Sequence, residues 1–318
     1  MSASAATRNH GLDVFLRIGT YDETSQWRRS LARTHYLKGL APLADYAFFA
    51  QRASPAERAR SGDIVLLPDS LLRTCSSKWC RTGLTMALGL RFATENSTRA
   101  YILSVDDDGF LCTPRLPALV QPLPTTGVVA GTWHAHGGNR TPTPDQHFLL
   151  LSRDVARDVA ARYLRTHERV HAQSQTLTMA EREYLNRQPH RLDLRQTALH
   201  PAHNALALWY QQPSAGAAAS FCARHVWVHF CCGLGSANAS WYALAWHALQ
   251  RSADRIHDRQ PPPAASRQPA RHVPWQRLAA TAPAPIHCAE VRARSCTACS
   301  ASMPQLGGST GCSPSAQV

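Results

Sequence analysis

The chain has 318 residues, 44% of them hydrophobic, so it can form one large domain or two small ones with a sizeable buried core. Lysine and arginine outnumber aspartate and glutamate by 34 to 21, a formal net charge of +13. Nearly all of this charge is arginine spread along the chain without a dense basic run, which argues against a nucleic-acid-binding protein. No stretch reaches the roughly 18 uninterrupted apolar residues of a membrane span, and the first ten residues lack a signal-peptide apolar core.

Strands and helices alternate in the first third of the chain. The pattern predicts strands over 13–18, 46–49, 61–67 and 101–105, and helices over 23–36 and 80–92. This alternation indicates an α/β domain with a mixed, mainly parallel sheet flanked by helices. Ligands of such sheets bind beyond the carboxyl ends of the strands.

Three carboxylates, Asp106, Asp107 and Asp108, directly follow the apolar strand 101–105. Their mutual repulsion at the end of a buried strand is costly unless a partner offsets it. One interpretation is an acidic turn that ends the strand. The other is a site for a divalent metal that carries a diphosphate, because hard oxygen ligands suit Mg²⁺ or Mn²⁺.

The second half of the chain is less regular. Strands are predicted over 148–151 and 226–230, and helices over 153–163, 202–210 and 239–250, while 165–201 is polar and receives no assignment. The predicted organisation is a disordered segment 1–10, a domain 11–250, and a low-complexity tail 251–318 that is largely disordered, since its composition cannot bury a core.

Ten cysteines and three glycosylation sequons leave the cellular compartment open. Cys75 and Cys80 are close enough in sequence to pair locally, and Cys222, Cys231 and Cys232 are further candidates. The pair Cys296 and Cys299 has zinc or redox spacing, but no second such pair accompanies it. The sequons begin at Asn96, Asn139 and Asn238 and tilt the choice mildly toward a secretory lumen.

Five segments match, in order, the motifs of one enzyme family. They are RRSLARTHY (28–36), GDIV (62–65) followed by Lys78, YILSVDDDGFL (101–111), FLLLSRD (148–154) and WVH (227–229). Together they resemble the inverting β-1,3-glycosyltransferases of the galactosyltransferase type, glycosyltransferase family 31. The resemblance covers about residues 13–250 and implies a GT-A type, Rossmann-like fold. It also implies transfer of a hexose, galactose in first place, from a UDP-sugar to a glycan hydroxyl.

The resemblance assigns roles to the acidic motif and to a late histidine. Asp108 and His229 are the expected metal ligands for Mn²⁺ (or Mg²⁺), which acts as a Lewis acid on the diphosphate leaving group. Asp106 and Asp107 are expected to face the donor or to hold Asp108 in place. The apolar strand alone favours a core histidine with a satisfied ring for His229, and the resemblance reverses this preference in favour of a metal ligand.

Four further residues are expected near the donor. The family places the helix that carries Arg28 and Arg33 beside the nucleotide, although these arginines also fit a solvated helix face. Lys78 and Asp63 match donor-side positions, although Lys78 is also readable as a surface lysine and Asp63 as the start of a strand.

The general base is the weakest part of the match. The family carries a carboxylate where this chain has Asn204, so His203 is the tentative base and Asp193 the weaker alternative. Family glycines are also missing from 143–147. A relative that binds nucleotide-sugars or glycans without turnover is therefore the second hypothesis, and a basic nucleic-acid-binding protein the third. The resemblance implies a Golgi location, with membrane attachment only through an anchor that this sequence does not contain.

Overall fold

A computed structural model describes residues 12–20, 26–40, 44–134, 142–167, 177, 179–197, 221–229 and 239–257. The chain divides into two compact units, Met1–Arg271 and His272–Val318, and every described residue belongs to the first. The strands are β1 (Val14–Thr20), β2 (Asp45–Ala50), β3 (Ile64–Leu66), β4 (Tyr101–Asp106), β5 (Gly109–Leu111), β6 (Val128–His134), β7 (Thr143–Ser152), β8 (His190–Asp193) and β9 (Trp227–His229). The helices are α1 (Gln26–Thr34), α2 (Tyr36–Leu40), α3 (Pro55–Ser61), α4 (Asp69–Leu72), α5 (Lys78–Asn96), α6 (Leu116–Val120), α7 (Arg153–His167), α8 (Met179–Asn186), α9 (Phe221–Arg224) and α10 (Ala239–His257).

Seven strands form one mixed sheet in the order β3-β2-β1-β4-β7-β6-β8. β7 pairs antiparallel with β4 and β6, and every other adjacent pair is parallel. The predicted mixed, mainly parallel α/β sheet flanked by helices is therefore confirmed. Because the other strands share one direction, their carboxyl ends meet at one edge, which we call the carboxyl edge. β7 brings its amino end to that same edge. β5 and β9 form a separate antiparallel pair, which we call the ribbon.

β1 and β4 are the most completely buried part of the sheet's centre. All residues of both strands are buried, as expected for strands covered on both faces. Helices α5 and α7 contact each other and pack on these strands. A cluster of three buried rings joins the ribbon to α2 and α10: Tyr36, Phe110 and Trp246 lie 5.5 to 5.7 Å apart between ring centroids.

The predicted strand over 61–67 is wrong in its first half. Ser61 ends helix α3, and Gly62 caps that helix in the left-handed conformation with φ of 63°. At the other end, the Ser54 side chain accepts a hydrogen bond from the Glu57 amide, and Pro55 occupies the first turn. The helix has a polar sequence without an apolar stripe, so hydrophobic periodicity does not predict it; its two caps define its ends.

Other elements differ from their predicted bounds or were not predicted. β6 was not predicted, and α8 and β8 lie in the polar region that received no assignment. α10 continues to His257, past the predicted end at 250. The predicted helix 202–210 lies outside the described residues, as do residues 1–11 and 258–318.

Two disulfides and one sequon have defined surroundings. Cys75 is joined to Cys80 at the start of α5, and Cys112 is joined to Cys222 across a sequence separation of 110. The Asn96 side-chain amide donates a 2.9 Å hydrogen bond to the Phe92 carbonyl at the end of α5. In the part of the chain that is described, no helix has both the length and the apolar character needed to cross a membrane.

Candidate functional site

The acidic motif lies at the carboxyl edge of the sheet. Asp106 is the last residue of β4, and the Asp107 amide donates a 3.0 Å hydrogen bond to the Gly19 carbonyl of β1. This bond extends the β1–β4 ladder by one step and fixes the backbone of the motif. Asp108 then turns the chain into β5, the first strand of the ribbon. The site therefore grows from the centre of the sheet, where the backbone is most firmly held.

Asp108 and His229 are brought together by the ribbon. Gly109 is opposite His229 in the β5–β9 register, and Nε2 of His229 lies 3.2 Å from Oδ1 of Asp108. The His229 side chain is 3% exposed and that of Asp108 is 27% exposed. The pair thus has one partner in the protein interior and one that reaches the surface of the site.

The ribbon can approach this closely because residue 109 is glycine. A Cβ at Gly109 would lie 2.1 Å from the Trp227 ring of β9 and 2.6 Å from the Val228 carbonyl oxygen. Both contacts are shorter than van der Waals distance, and one of them is to backbone. Any side chain at this position would push the two strands apart and separate Asp108 from His229.

The charge state of Asp108 follows from its neighbours. Burial alone raises the pKa of this carboxyl, but contact with His229 and the nearby charges of His147 and Arg28 lower the pKa to about 2. Asp108 is therefore ionised at neutral pH and available as a hard oxygen ligand.

Asp106 and Asp107 each face a different arginine. Asp106 is buried, and burial together with Asp108 raises its pKa, while His147 and Arg17 oppose the rise. Arg17 comes from β1 and places its NH1 atom 4.0 Å from Asp106 Oδ1. Arg28 comes from α1 and places its NH1 atom 3.5 Å from Asp107 Oδ1. The structure thus brings Arg28, a predicted donor-side residue, to the acidic motif.

Arg33 and Asp63 bind one another. Arg33 donates two hydrogen bonds to the Asp63 carboxylate, at 2.9 and 2.7 Å, and a third at 3.4 Å to Glu57. Glu57 in turn accepts two bonds from the buried Arg29, at 2.8 and 2.7 Å. This network ties α1 to α3 and β3 and gives all four residues a structural role. Donor binding by Arg33 or Asp63 stays a prediction.

Lys78 and Asp193 also have defined places. Lys78 is exposed at the first turn of α5, with its ammonium 5.9 Å from the centroid of the Trp79 ring. Asp193 ends β8, so it lies at the carboxyl edge, and its carboxylate binds Arg195 at 2.6 Å. The tentative base His203 lies outside the described residues.

Three residues that the sequence did not single out line the same edge. His147 Nδ1 lies 2.7 Å from Asp145 Oδ1, and its Nε2 lies 3.7 Å from Asp106 Oδ2. The other Asp145 oxygen lies 3.3 Å from Nε2 of His134, at the carboxyl end of β6. The His147 ring stacks at 4.1 Å on that of His229. The segment 143–147 was noted only for its missing glycines. Asp145 and His147 lie near the amino end of β7, which reaches the carboxyl edge because β7 is antiparallel to its neighbours.

His147 adds positive charge beside the acidic motif. Burial lowers the pKa of its ring, but the hydrogen bond that the ring donates to Asp145 and the charges of Asp106, Asp145 and Asp108 raise the pKa to about 9. A protonated His147 next to three aspartates offsets part of their repulsion. Its side chain is 35% exposed, so the ring is open to a bound ligand.

The spacing of Asp108 and His229 fits one divalent metal. Two neighbouring ligands at about 2.1 Å from an octahedral ion are separated by about 3 Å. The observed 3.2 Å between Oδ1 and Nε2 is close to this value. Among the described residues, no group of three or more histidine, cysteine or acidic side chains is arranged to hold a metal. Of the described residues, Asp108 and His229 would serve as ligands, with a bound anion and water at further positions, as is common in Mg²⁺ sites on phosphates.

Comparison with known proteins gives only distant similarities. No protein-family model and no curated protein matches the chain. A solved glycosyltransferase involved in glycosylation of the major capsid of PBCV-1 has 8% identity and a TM-score of 0.47, over 73% of this chain and 98% of that one. The galactosyltransferase LgtC has 11% identity and a TM-score of 0.43, over 73% and 95%. The glycosyltransferase GlyE of Streptococcus pneumoniae TIGR4 has the same two values, over 79% and 65%. At these values no activity is assigned to the chain.

Proposed function

We propose that this protein is a metal-dependent inverting glycosyltransferase that moves a hexose, most simply galactose, from a UDP-sugar to a glycan hydroxyl in β-1,3 linkage. The observation that carries the proposal is the 3.2 Å approach of Asp108 and His229 at the carboxyl edge of the sheet. Ligand sites of open α/β sheets lie beyond this edge. The choice of donor, hexose and linkage rests on the ordered sequence motifs.

The residues of the site divide the work of donor binding. Ionised Asp108 and the ring nitrogen of His229 would hold Mn²⁺ (or Mg²⁺), which supplies charge stabilisation for the departing diphosphate. Arg28 lies within reach of Asp107 and offers a guanidinium to the same region. Asp106, Asp107 and the His147 ring would border the ribose or sugar. The neighbouring His229, His147 and Arg28 keep Asp108 ionised without a bound ligand.

The acceptor hydroxyl needs a base. We propose His203 for this role, with Asp193 as the alternative, because Asn204 cannot remove a proton. Asp193 already binds Arg195, so it would have to exchange that partner for the acceptor. If neither residue acts, the protein retains donor binding without transfer, and this non-catalytic relative is the second candidate function. The variant His203→Ala distinguishes the two candidate bases, because sugar transfer should be lost if His203 is the base and retained if Asp193 is.

We also propose an oxidising secretory compartment, the Golgi lumen. Disulfides form and persist in such compartments and are rare in the cytosol. Both the Cys75–Cys80 and the Cys112–Cys222 pairs are joined in this fold. Immunofluorescence of the tagged full-length protein, with an endoplasmic-reticulum marker for comparison, tests the location. A cytosolic distribution would contradict it.

Binding of UDP in the presence of Mn²⁺, measured by calorimetry, tests the proposed function. We expect Asp108→Asn and His229→Ala each to weaken this binding by at least about 100-fold, since each removes one of two protein ligands. Asp69→Asn, which changes an exposed acid in α4, is the matched control and is expected to leave binding unchanged. UDP binding that is equally tight in the presence of a chelator would contradict the proposal.

A further inference from the structure

Among the described residues, the backbone of the strand that carries His229 pairs with one short strand, while its side chains are buried in the core. β9 is three residues long and belongs to a two-stranded sheet whose other member is β5. A two-stranded pair by itself is marginally stable in water. Residues 198–220 before this segment and 230–238 after it lie outside the described part of the chain. Within the described residues, the backbone at His229 is held by pairing with β5, and the neighbouring Trp227 and Val228 side chains are buried.

One of these contacts is covalent. Cys112 directly follows β5, and its disulfide partner Cys222 lies in α9, shortly before β9. The Cys112 amide donates a 2.9 Å hydrogen bond to the Val226 carbonyl. The disulfide therefore lies at the end of the ribbon away from Asp108 and His229. Both cysteines are fully buried.

The other end of the bond is anchored in α10. The Cys222 amide donates a 3.2 Å hydrogen bond to the Ser252 hydroxyl of α10, which holds this end of the disulfide in place. The Trp227 side chain of β9 is buried beside Gly109, which leaves no room for the strands to slide. The disulfide, the ribbon and α10 thus form one local unit. The backbone hydrogen bonds of the ribbon are separate from those of the seven-stranded sheet, although its side chains pack in the same core.

We propose that the Cys112–Cys222 disulfide is a positioning element of the site, which holds β9 against β5 so that His229 faces Asp108. The metal-binding part of this proposal rests on the proposed function; the positioning part does not. The disulfide joins residues 110 positions apart and keeps α9, and with it the start of β9, next to the end of β5 even when the ribbon hydrogen bonds open. Without the disulfide, we expect the ribbon to open more often while the central sheet stays folded.

The test compares two pairs of cysteines. Cys112→Ala/Cys222→Ala removes the proposed positioning bond, and Cys75→Ala/Cys80→Ala removes the other disulfide, at the start of α5, as the matched control. Hydrogen exchange is followed by mass spectrometry on peptides from the ribbon and from β1 and β4. Mn²⁺ affinity is measured on the same proteins by electron paramagnetic resonance, with UDP present, well below the melting temperature.

We expect ribbon amides of the first variant to exchange at least about tenfold faster, with β1 and β4 unchanged, and Mn²⁺ affinity to fall about 10- to 100-fold. The control variant should match the wild type in both measurements. Unchanged ribbon exchange in the first variant would overturn the proposal. Faster exchange throughout the central sheet would also overturn it, because the bond would then stabilise the whole fold. Absence of Mn²⁺ and UDP binding by the wild type would refute the proposed function and leave the exchange result to decide the positioning role.

Discussion

Arg17 is a cation inside the protein core. Its side chain is 1% exposed and lies between the sheet and α5, where Gly89 leaves space for it: a Cβ there would lie 2.8 Å from Arg17 Nε. NH1 donates a 2.9 Å hydrogen bond to Ser104 and lies 4.0 Å from Asp106. A buried charge is costly unless it is paired, so Arg17 and Asp106 should depend on each other.

Replacing Arg17 by methionine is expected to destabilise the protein by about 3 kcal/mol, because it removes one of the two described cations beside the buried Asp106 carboxylate and leaves His147. The double variant Arg17→Met/Asp106→Asn should recover at least about 1 kcal/mol of this loss. Urea unfolding of the wild type, the two single variants Arg17→Met and Asp106→Asn, and the double variant measures the coupling. Arg91→Met, which breaks an exposed pair with Glu95, is the control and should change stability by less than about 0.5 kcal/mol. Additive losses in the double variant would rule out the coupling.

The Arg29–Glu57 pair gives the fold a pH dependence. Burial raises the pKa of Glu57, but its hydrogen bonds and charge interactions with Arg29 and Arg33 more than offset this and lower the pKa below the usual range. A depressed pKa stabilises the folded state above the unfolded-state value of about 4.3, and this contribution is lost as the pH falls through the folded-state value.

The unfolding free energy should therefore decline more steeply below about pH 4.3 in the wild type than in Glu57→Gln, which has no carboxylate to protonate. Urea titrations at several pH values between neutral and acidic measure the two slopes. Glu95→Gln, at an exposed pair on α5, should retain the wild-type slope. Parallel curves for the wild type and Glu57→Gln would show that this carboxylate contributes nothing to acid lability.

Among the elements, buried regular strands were predictable and short or polar ones were not. β1 and β4 are continuous apolar runs, and α5 has apolar positions at helical spacing, so their sequences identify them. β6 contains Gly131 and follows a proline-rich segment, so its residues resemble a loop until it pairs with β7. α3 has no apolar stripe, and its start and end depend on caps.

The ribbon is the element most sensitive to added volume. Gly109→Ala is expected to destabilise the protein by about 2 kcal/mol and to weaken Mn²⁺-dependent UDP binding, because the new methyl group meets the Trp227 ring and the Val228 carbonyl. Thermal unfolding and calorimetry measure the two effects. Gly131→Ala in β6 is the matched control, since its nearest atom would lie 3.3 Å away and the change should be smaller. A wild-type melting temperature for Gly109→Ala would contradict the close approach of the two strands.

At the scale of the whole molecule, the site combines residues that are distant in sequence. The acidic motif was visible because it follows a recognisable strand, and His229 because of its place in the family motif order. Asp145 and His147 reach the site only because β7 runs opposite to β4 and β6. Strand direction is set by the packing of the complete sheet, so no local pattern in 143–147 reveals it.

The positive charge of the chain is partly used inside the fold. Arg17 and Arg29 are buried, and Arg29, Arg33 and Arg99 bind carboxylates at 2.7 to 2.9 Å. These arginines hold helices and strands together, so their guanidinium groups are engaged within the fold, while the net charge of +13 already subtracts their carboxylate partners. This supports the low rank of nucleic-acid binding among the hypotheses, and a filter-binding assay across salt concentrations tests it directly.

The side chain of Asn96 has a consequence for how the protein matures. Its amide nitrogen donates to the Phe92 carbonyl in the last turn of α5, and the next residue of the sequon, Ser97, is 8% exposed. A transferase that attaches a glycan needs that same nitrogen and an extended sequon. The folded helix end holds this nitrogen in a hydrogen bond and buries Ser97, so a glycan would be attached at Asn96 more readily before this end of α5 has folded.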